Sequence, residues 1–312
     1  MGTINLKGKK ILVTGGHGLV GSALLKTLPA DVVAPRRAEC DFIDASATDL
    51  LFSRVKPDYV FHLAAKVGGI KANMADPVGF YEVNNRITMN VFAAAHKAGV
   101  KKVAQLSSSC IYPRACAQPI REEHLLSGPL EPTNENYALA KIGAMRLGHA
   151  YHMQLGMHVV CPVAAGVYGA GDSFDLDKSH VMSALVRRFI EARDANAPSV
   201  TLWGSGSPRR QFIHVDDVAR ALVYFMENVD TPEHVNIGPD DDISIRELAE
   251  LIATLVGYKG RIDWDRSKPD GMPRKWMAVD RSKALGFLTN IPLRQGILDV
   301  IADFGRWRAN QG

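Results

Sequence analysis

Cysteine is scarce in this chain. Cys40, Cys110, Cys116 and Cys161 stand at irregular intervals, which excludes a disulfide framework and any Cys-x-x-Cys metal site, so no metal is expected. Free thiols in a reducing cytoplasm are the simplest reading. Long apolar runs are missing too. None approaches the roughly 18 residues that a membrane span needs, and Met1 to Lys10 lacks the apolar stretch of a secretory signal. Leu6 stands where a myristoylation site behind Gly2 needs Ser or Thr, so no lipid anchor is expected. Excess charge is small: 37 Lys and Arg against 33 Asp and Glu leave +4. No basic cluster is interleaved with aromatics, so neither a nucleic acid nor a membrane is an expected partner.

What is present suits a globular protein. A chain of 312 residues, 46% hydrophobic and 22% charged, can bury one large core or a large and a smaller one. Short β-branched runs alternate with helix-like stretches through the first half. Lys10–Val13 reads as a strand, then glycines, then a helix from about Val20 to Leu28. Further strands are expected at Asp31–Ala34, Tyr59–Leu63, Val103–Leu106 and His158–Val160. That alternation predicts an α/β fold, a doubly wound parallel sheet covered on both faces. After Gly169 the pattern changes. Phe174 to Ser179 reads as loop, Val181 to Ala192 as helix, Gln211–His214 as a strand leading into the acidic helix start Asp216-Asp217. Ser244-Ile245-Arg246-Glu247 is a capping box for a helix that Gly257 can end. Lys268 to Lys275, rich in Pro, Gly and charge, reads as loop. The expected organisation is a dinucleotide-binding domain over 1–165 that also receives about 210–238, with a smaller interleaved α/β lobe over 166–312.

Gly15-Gly16-His17-Gly18-Leu19-Val20-Gly21 follows a strand and opens a helix. Glycines let backbone approach a pyrophosphate, and the helix start offers it unpaired N–H groups; the plainer alternative is a tight structural turn. A second strand that grips NAD ribose should end in Asp or Glu, but Ala34-Pro35-Arg36-Arg37 stands there. Guanidinium groups suit a 2′-phosphate, so NADP is favoured over two merely solvated arginines. Glu39 and Asp41 lie slightly too late to replace the acid.

Tyr137 and Lys141, four apart, share a helix face. An ammonium beside the phenol would lower its pKa, and the lysine can hold the nicotinamide ribose. Ser107-Ser108-Ser109, just past a strand, can polarise a substrate carbonyl or can form only a polar turn. Glycine loop, serine, tyrosine and lysine in this order resemble the short-chain dehydrogenase/reductase superfamily, in its extended, nucleotide-sugar-modifying branch.

Several segments are similar to the GDP-L-fucose synthase family. They are Ala65-Lys66-Val67-Gly68-Gly69-Ile70, Ser108-Ser109-Cys110-Ile111-Tyr112-Pro113 and Glu131-Pro132-Thr133-Asn134-Glu135, and later Ser179-His180-Val181, Trp203-Gly204-Ser205-Gly206 and Lys268-Pro269-Asp270-Gly271. The resemblance runs from about residue 10 to 285. It implies epimerisation of a GDP-linked 4-keto sugar at C3 and C5, then reduction of C4 with NADPH. By position, Ser108, Tyr137 and Lys141 would be the catalytic hydroxyls and lysine, Cys110 the base and His180 the acid. Gly15, Gly18, Leu19, Val20, Gly21, Arg36, Arg37, Ala64, Ala65, Lys141 and His180 would meet the cofactor. Arg188, Trp203, Arg210 and Lys268 would meet the substrate. Helices around Val83 to Ala98 and Tyr137 to Leu155 would form a homodimer's four-helix interface.

The chain departs from the family pattern in places. Gly16-His17 stands where His-Arg is usual, and Ala164-Ala165-Gly166-Val167-Tyr168-Gly169 where Pro-Thr-Asn-Leu-Tyr-Gly is usual. The segment Phe174-Asp175-Leu176-Asp177-Lys178 also differs. Alternatives are a relative acting on another 4-keto sugar, a deoxy-heptose or dideoxy-hexose, and more remotely a non-catalytic NADP-sensing module.

Overall fold

A computed structural model describes residues 3–29, 31–176, 179–268 and 270–310. Gly2 of the lipidation motif, Asp177 and Lys178 of the expected loop, and Pro269 of the Lys268–Gly271 motif lie outside the described residues. The first half builds β1 (Ile11–Thr14), α1 (Leu19–Leu25), β2 (Val32–Val33), α2 (Ala45–Val55), β3 (Tyr59–His62), α3 (Ile70–Ala75), α4 (Pro77–Lys97), β4 (Lys102–Gln105), β5 (Ser107–Ser108), α5 (Glu135–Leu155) and β6 (His158–Ala164). The second half adds β7 (Gly166–Tyr168), α6 (Val181–Asp194), β8 (Ser199–Trp203), β9 (Arg209–Arg210), β10 (Phe212–His214), α7 (Val215–Asn228), β11 (His234–Ile237) and β12 (Ile243–Ser244). It ends with α8 (Ile245–Val256), β13 (Arg261–Asp265), β14 (Arg274–Lys275), α9 (Asp280–Ala284) and α10 (Leu293–Ala309).

The main sheet runs β2-β1-β3-β4-β6-β11, with β5 also on β6, and all its pairings are parallel. Every residue of β1, β3 and β4 is buried, with side chains alternating between two covered faces. Ile11, Val13 and Phe61 enter one apolar cluster with α1 and α7, while Leu12, Val60 and Val103 enter another with α2 and α4. A third cluster joins Leu185 and Phe189 of α6, Leu248 and Ile252 of α8 and Phe304 of α10. Because β2 and β3 flank β1 on opposite sides, the chain reverses direction there, and a crevice opens past the strand ends.

The sequence boundaries shift where local bonding intervenes. α1 stops at Leu25, not Leu28, because Lys26 N and Thr27 N bond back to Ala23 O and Leu24 O in a tighter turn. β2 keeps only Val32 and Val33 of the expected four residues. β6 runs on through Pro162 to Ala164. Its pairing with β4 ends at Val160 and with β5 begins at Val163, so the proline lies where no N–H is wanted on that side. The Lys268–Lys275 stretch is not all loop, since Arg274 and Lys275 pair with Arg209 and Arg210. The clamp is ionic: Asp242, 4% exposed, takes Arg209 and Arg274 together. Ser244 and Glu247 do form the capping box of α8, and Gly257 ends it at φ +77°. Among the described residues no helix is long and apolar enough to cross a membrane.

Candidate active site

The glycine turn is set by what surrounds it. Gly15 has φ +71°, and a Cβ there would lie 2.7 Å from Ala64 N. At Gly21 a Cβ would fall 2.2 Å from Gly15 O. The turn is therefore bare backbone, a cradle that only glycine permits, and it fits a dinucleotide pyrophosphate. A strut beneath it comes from the strand ends. Burial pulls His62 down to about 3, so its ring is neutral. Its Nδ1 then accepts from the Thr14 hydroxyl at 2.7 Å, while that oxygen accepts from Leu63 N and Ala64 N at 3.1 Å each. We expect Gly21→Ala to abolish dinucleotide binding and lower the melting temperature, read by fluorescence titration and calorimetry. Unchanged affinity would show that the loop has room to relax.

One cavity of about 1240 Å³ lies over this turn. Its wall contains Gly15, Gly18, Leu19, Val20, Gly21, Arg36, Arg37, Ala64 and Ala65, and also Ser108, Cys110, Tyr137, Lys141, His180 and Arg210. Three expected substrate residues are not on that wall. Arg188 lies half-buried on α6, and Trp203, 62% exposed and so not a core residue, carries Lys268 Nζ 5.8 Å from its ring centre.

The arginines at the cavity mouth differ. Arg37 is held by Asp41 at 3.1 Å, whereas the Arg36 guanidinium has no ion pair among the described residues. Asp41 also lies on the wall, with its carboxylate on Arg37. The backbone bonds Glu39 N and Cys40 N to Arg36 O fold the chain back over the crevice. His17, where an arginine was expected, meets Ala34 O at 3.0 Å.

The reactive groups meet across β5 and α5. A 3₁₀ turn, Ser109–Ile111, buries Cys110 two residues past Ser108. Lys141 Nζ donates to Leu106 O at 3.2 Å and lies 5.8 Å from the Tyr137 ring centre. The expected depression of the phenol is not what the site produces. Burial, with Cys110 adding to it, holds Tyr137 far above its ordinary value, and burial also lowers Lys141. Desolvation is the largest cause, and the Lys141 ammonium does not offset it. Tyr137 therefore keeps its proton at neutral pH, as a proton donor must.

Burial likewise raises Cys110, opposed by the positive charges of Lys275 and Lys141. Lys275 was missed because it lies in a stretch that read as loop; strand pairing brings it to the wall. Gly166 leaves its part of the wall as backbone, and a Cβ there would lie 3.1 Å from Gln211 O. Gln211 is itself buried and ties Met277 N and Met277 O. Asn134, on the wall near Tyr137, has a buried Oδ1 without a partner.

Residues 11–238 match the model of the NAD dependent epimerase/dehydratase family. A probable GDP-L-fucose synthase of Oryza sativa subsp. japonica is 45% identical over 94% of this chain and 91% of its own length. The chain belongs to the GDP-L-fucose synthase family. Among solved structures, a GDP-6-OMe-4-keto-L-xylo-heptose reductase from C. jejuni superposes with a TM-score of 0.91 at 29% identity, covering all of both chains. A GDP-L-fucose synthetase from Naegleria fowleri bound to NADP superposes at 0.88 and 30%, covering 98% of this chain and 95% of that one. The fold is thus shared over nearly the full length.

Proposed function

We propose that this chain is an NADPH-dependent 3,5-epimerase/4-reductase that converts GDP-4-keto-6-deoxy-D-mannose to GDP-L-fucose. The observation that carries the reading is the single cavity wall holding the glycine turn together with Ser108, Cys110, Tyr137, Lys141 and His180. Gly15, Gly18 and Gly21 with the start of α1 would hold the pyrophosphate, Arg36 the 2′-phosphate, and Lys141 the nicotinamide ribose. When bound, the reduced nicotinamide supplies the hydride for C4.

The chain's own groups do the rest. A C4 ketone acidifies the hydrogens on C3 and C5. Hydroxyls of Ser108 and Tyr137 donate to the C4 oxygen as negative charge grows on it. Cys110 removes a carbon-bound proton and His180 returns one, which inverts the centre when the two act on opposite faces. Tyr137, protonated at rest, then gives its proton to the C4 oxygen during reduction. Arg210, half-buried at the wall, would meet the diphosphate, with Arg188, Trp203 and Lys268 outside the cavity toward the nucleotide.

The lobes divide the work in this reading. Residues 1–165 with about 210–238 form the NADP domain, in keeping with Ile213, Val218 and Ile237 sharing a cluster with Ile11 and Phe61. The remainder of 166–312 grips the sugar nucleotide. Four free cysteines suit a reducing cytoplasm. A homodimer would cover α4 and α5, which pack together and leave Val78, Met89 and Met153 at least 60% exposed. Light scattering at the mass of one chain would remove that interface.

Turnover of the GDP-4-keto sugar in deuterated buffer with NADPH, analysed by NMR, tests the reaction. GDP-fucose with deuterium at C3 and C5 is expected. NADPH oxidation without deuterium would leave a 4-reductase alone, and no turnover would direct the search to a different GDP-4-keto sugar.

A further inference from the structure

His180 is held from one side by Asp172. Both carboxylate oxygens approach Nδ1, at 3.1 and 3.3 Å, and the Asp172 side chain is only 6% exposed. Ser183 Oγ donates to the same carboxylate at 2.7 Å, and Ser173 N donates at 2.9 Å. A carboxylate at neutral pH only accepts, so Nδ1 carries a hydrogen whenever this contact is made. The remaining nitrogen, Nε2, then bears either the lone pair or the transferable proton. Among the described residues nothing hydrogen-bonds to it.

The pair is assembled from two elements. His180 is the N-cap of α6, while Asp172 lies on the segment leaving β7 through Gly169 and Gly171. Both glycines have positive φ, +151° and +93°, and a Cβ at Gly169 would lie 2.4 Å from Val215 Cγ1. Asp303 of α10 anchors the segment by accepting from Gly171 N at 2.7 Å.

We propose that Asp172 is a positioning residue for the epimerisation: seated by Ser183 and Ser173, it fixes the imidazole of His180 with Nδ1–H turned inward and Nε2 presented to the sugar. The inference rests on the reading of His180 as the acid given above. Proton loss and return at Nε2 then need no ring flip, so one histidine can serve successive centres. The electrostatics agree, since the Asp172 hydrogen bond raises His180, itself exposed, above the ordinary histidine value. Two other charges on the elements that carry or anchor the pair are committed elsewhere: Arg187 to Glu191 and Phe174 O, Asp303 to Gly171 N and Arg306.

Full-length protein with ¹⁵N-labelled histidine rings gives the test, His180 being assigned with His180→Asn. The wild-type ring should be the Nδ1–H tautomer. Asp172→Asn should lower its titration midpoint and spread it over both tautomers, Asp172→Glu should restore it in part, and Ser183→Ala should shift it less in the same direction. An unchanged midpoint and tautomer in Asp172→Asn overturns the proposal, and this arm needs no substrate, so it fails independently of the proposed reaction. With substrate, Asp172→Asn should slow deuterium entry roughly tenfold or more at little-changed KM. In the His180→Asn background it should cost nothing further. Additive losses, or a loss confined to KM, would instead mark a merely structural carboxylate.

Discussion

Tyr137→Phe is expected to slow NADPH oxidation by roughly 10²–10⁴ while slowing deuterium entry at C3 and C5 by much less. The difference follows from what each step asks of the C4 oxygen. During proton exchange that oxygen carries partial negative charge, and the Ser108 hydroxyl remains as a donor to it. During reduction it must gain a whole proton. Tyr137 is the donor suited to this, because burial keeps its phenol protonated throughout the neutral range. Parallel measurements of cofactor absorbance and of deuterium by NMR separate the two rates. Equal losses in both would mean that the phenol only polarises the ketone and that the C4 proton comes from elsewhere.

Cys110→Ser should have the opposite signature. Deuterium entry at C3 and C5 is expected to fall by about 10² or more, since an alcohol at that position ionises far less readily than a thiol. The wild-type pH profile follows from the direction of the Cys110 shift. Burial favours the neutral thiol and so raises its pKa, with Lys275 the largest opposing influence. The active pair is the Cys110 thiolate with the His180 imidazolium. Above the imidazole's own range each gain in thiolate is matched by a loss of imidazolium, so deuterium entry with inversion should run flat with pH and fall off only above the ordinary thiol range. Cys110→Ser should lower that plateau throughout. Lys275→Met should lower it too, because the charge that favours the thiolate is gone. A wild-type profile that instead climbs about tenfold per pH unit up to the thiol range would mean that His180 is not the acid.

Some of this site could be read directly. The glycine turn is legible because its requirement is local: a strand, a sharp turn and a helix start occupy neighbouring residues, and only glycine allows the close backbone approaches at Gly15 and Gly21. Tyr137 and Lys141 are legible for the same reason, since helix geometry puts residues four apart on one face. Their protonation was not legible. Spacing suggested that the ammonium would lower the phenol, but desolvation acts on both groups and prevails. The pairing of Arg37 with Asp41 was not legible either, since it depends on the turn that starts at Arg36.

Asp172 and Lys275 show the other limit. An aspartate eight residues before a histidine carries no periodic signal, and the contact exists because Gly169 and Gly171 turn the chain back onto α6. Lys275 sits in a polar stretch that looks like loop, and it becomes part of the wall through pairing with Arg210 and the Asp242 clamp. The sequence by itself determined the alternating α/β plan, the dinucleotide turn, the Tyr-Lys pair and the family, because each rests on local spacing or on residues in order along the chain. Only the tertiary structure decided which charges are paired, which acids and bases are desolvated, and which expected substrate residues stand outside the cavity. Those properties depend on side chains brought together from distant segments, and the burial that governs them exists only once the sheet and the lobe have packed.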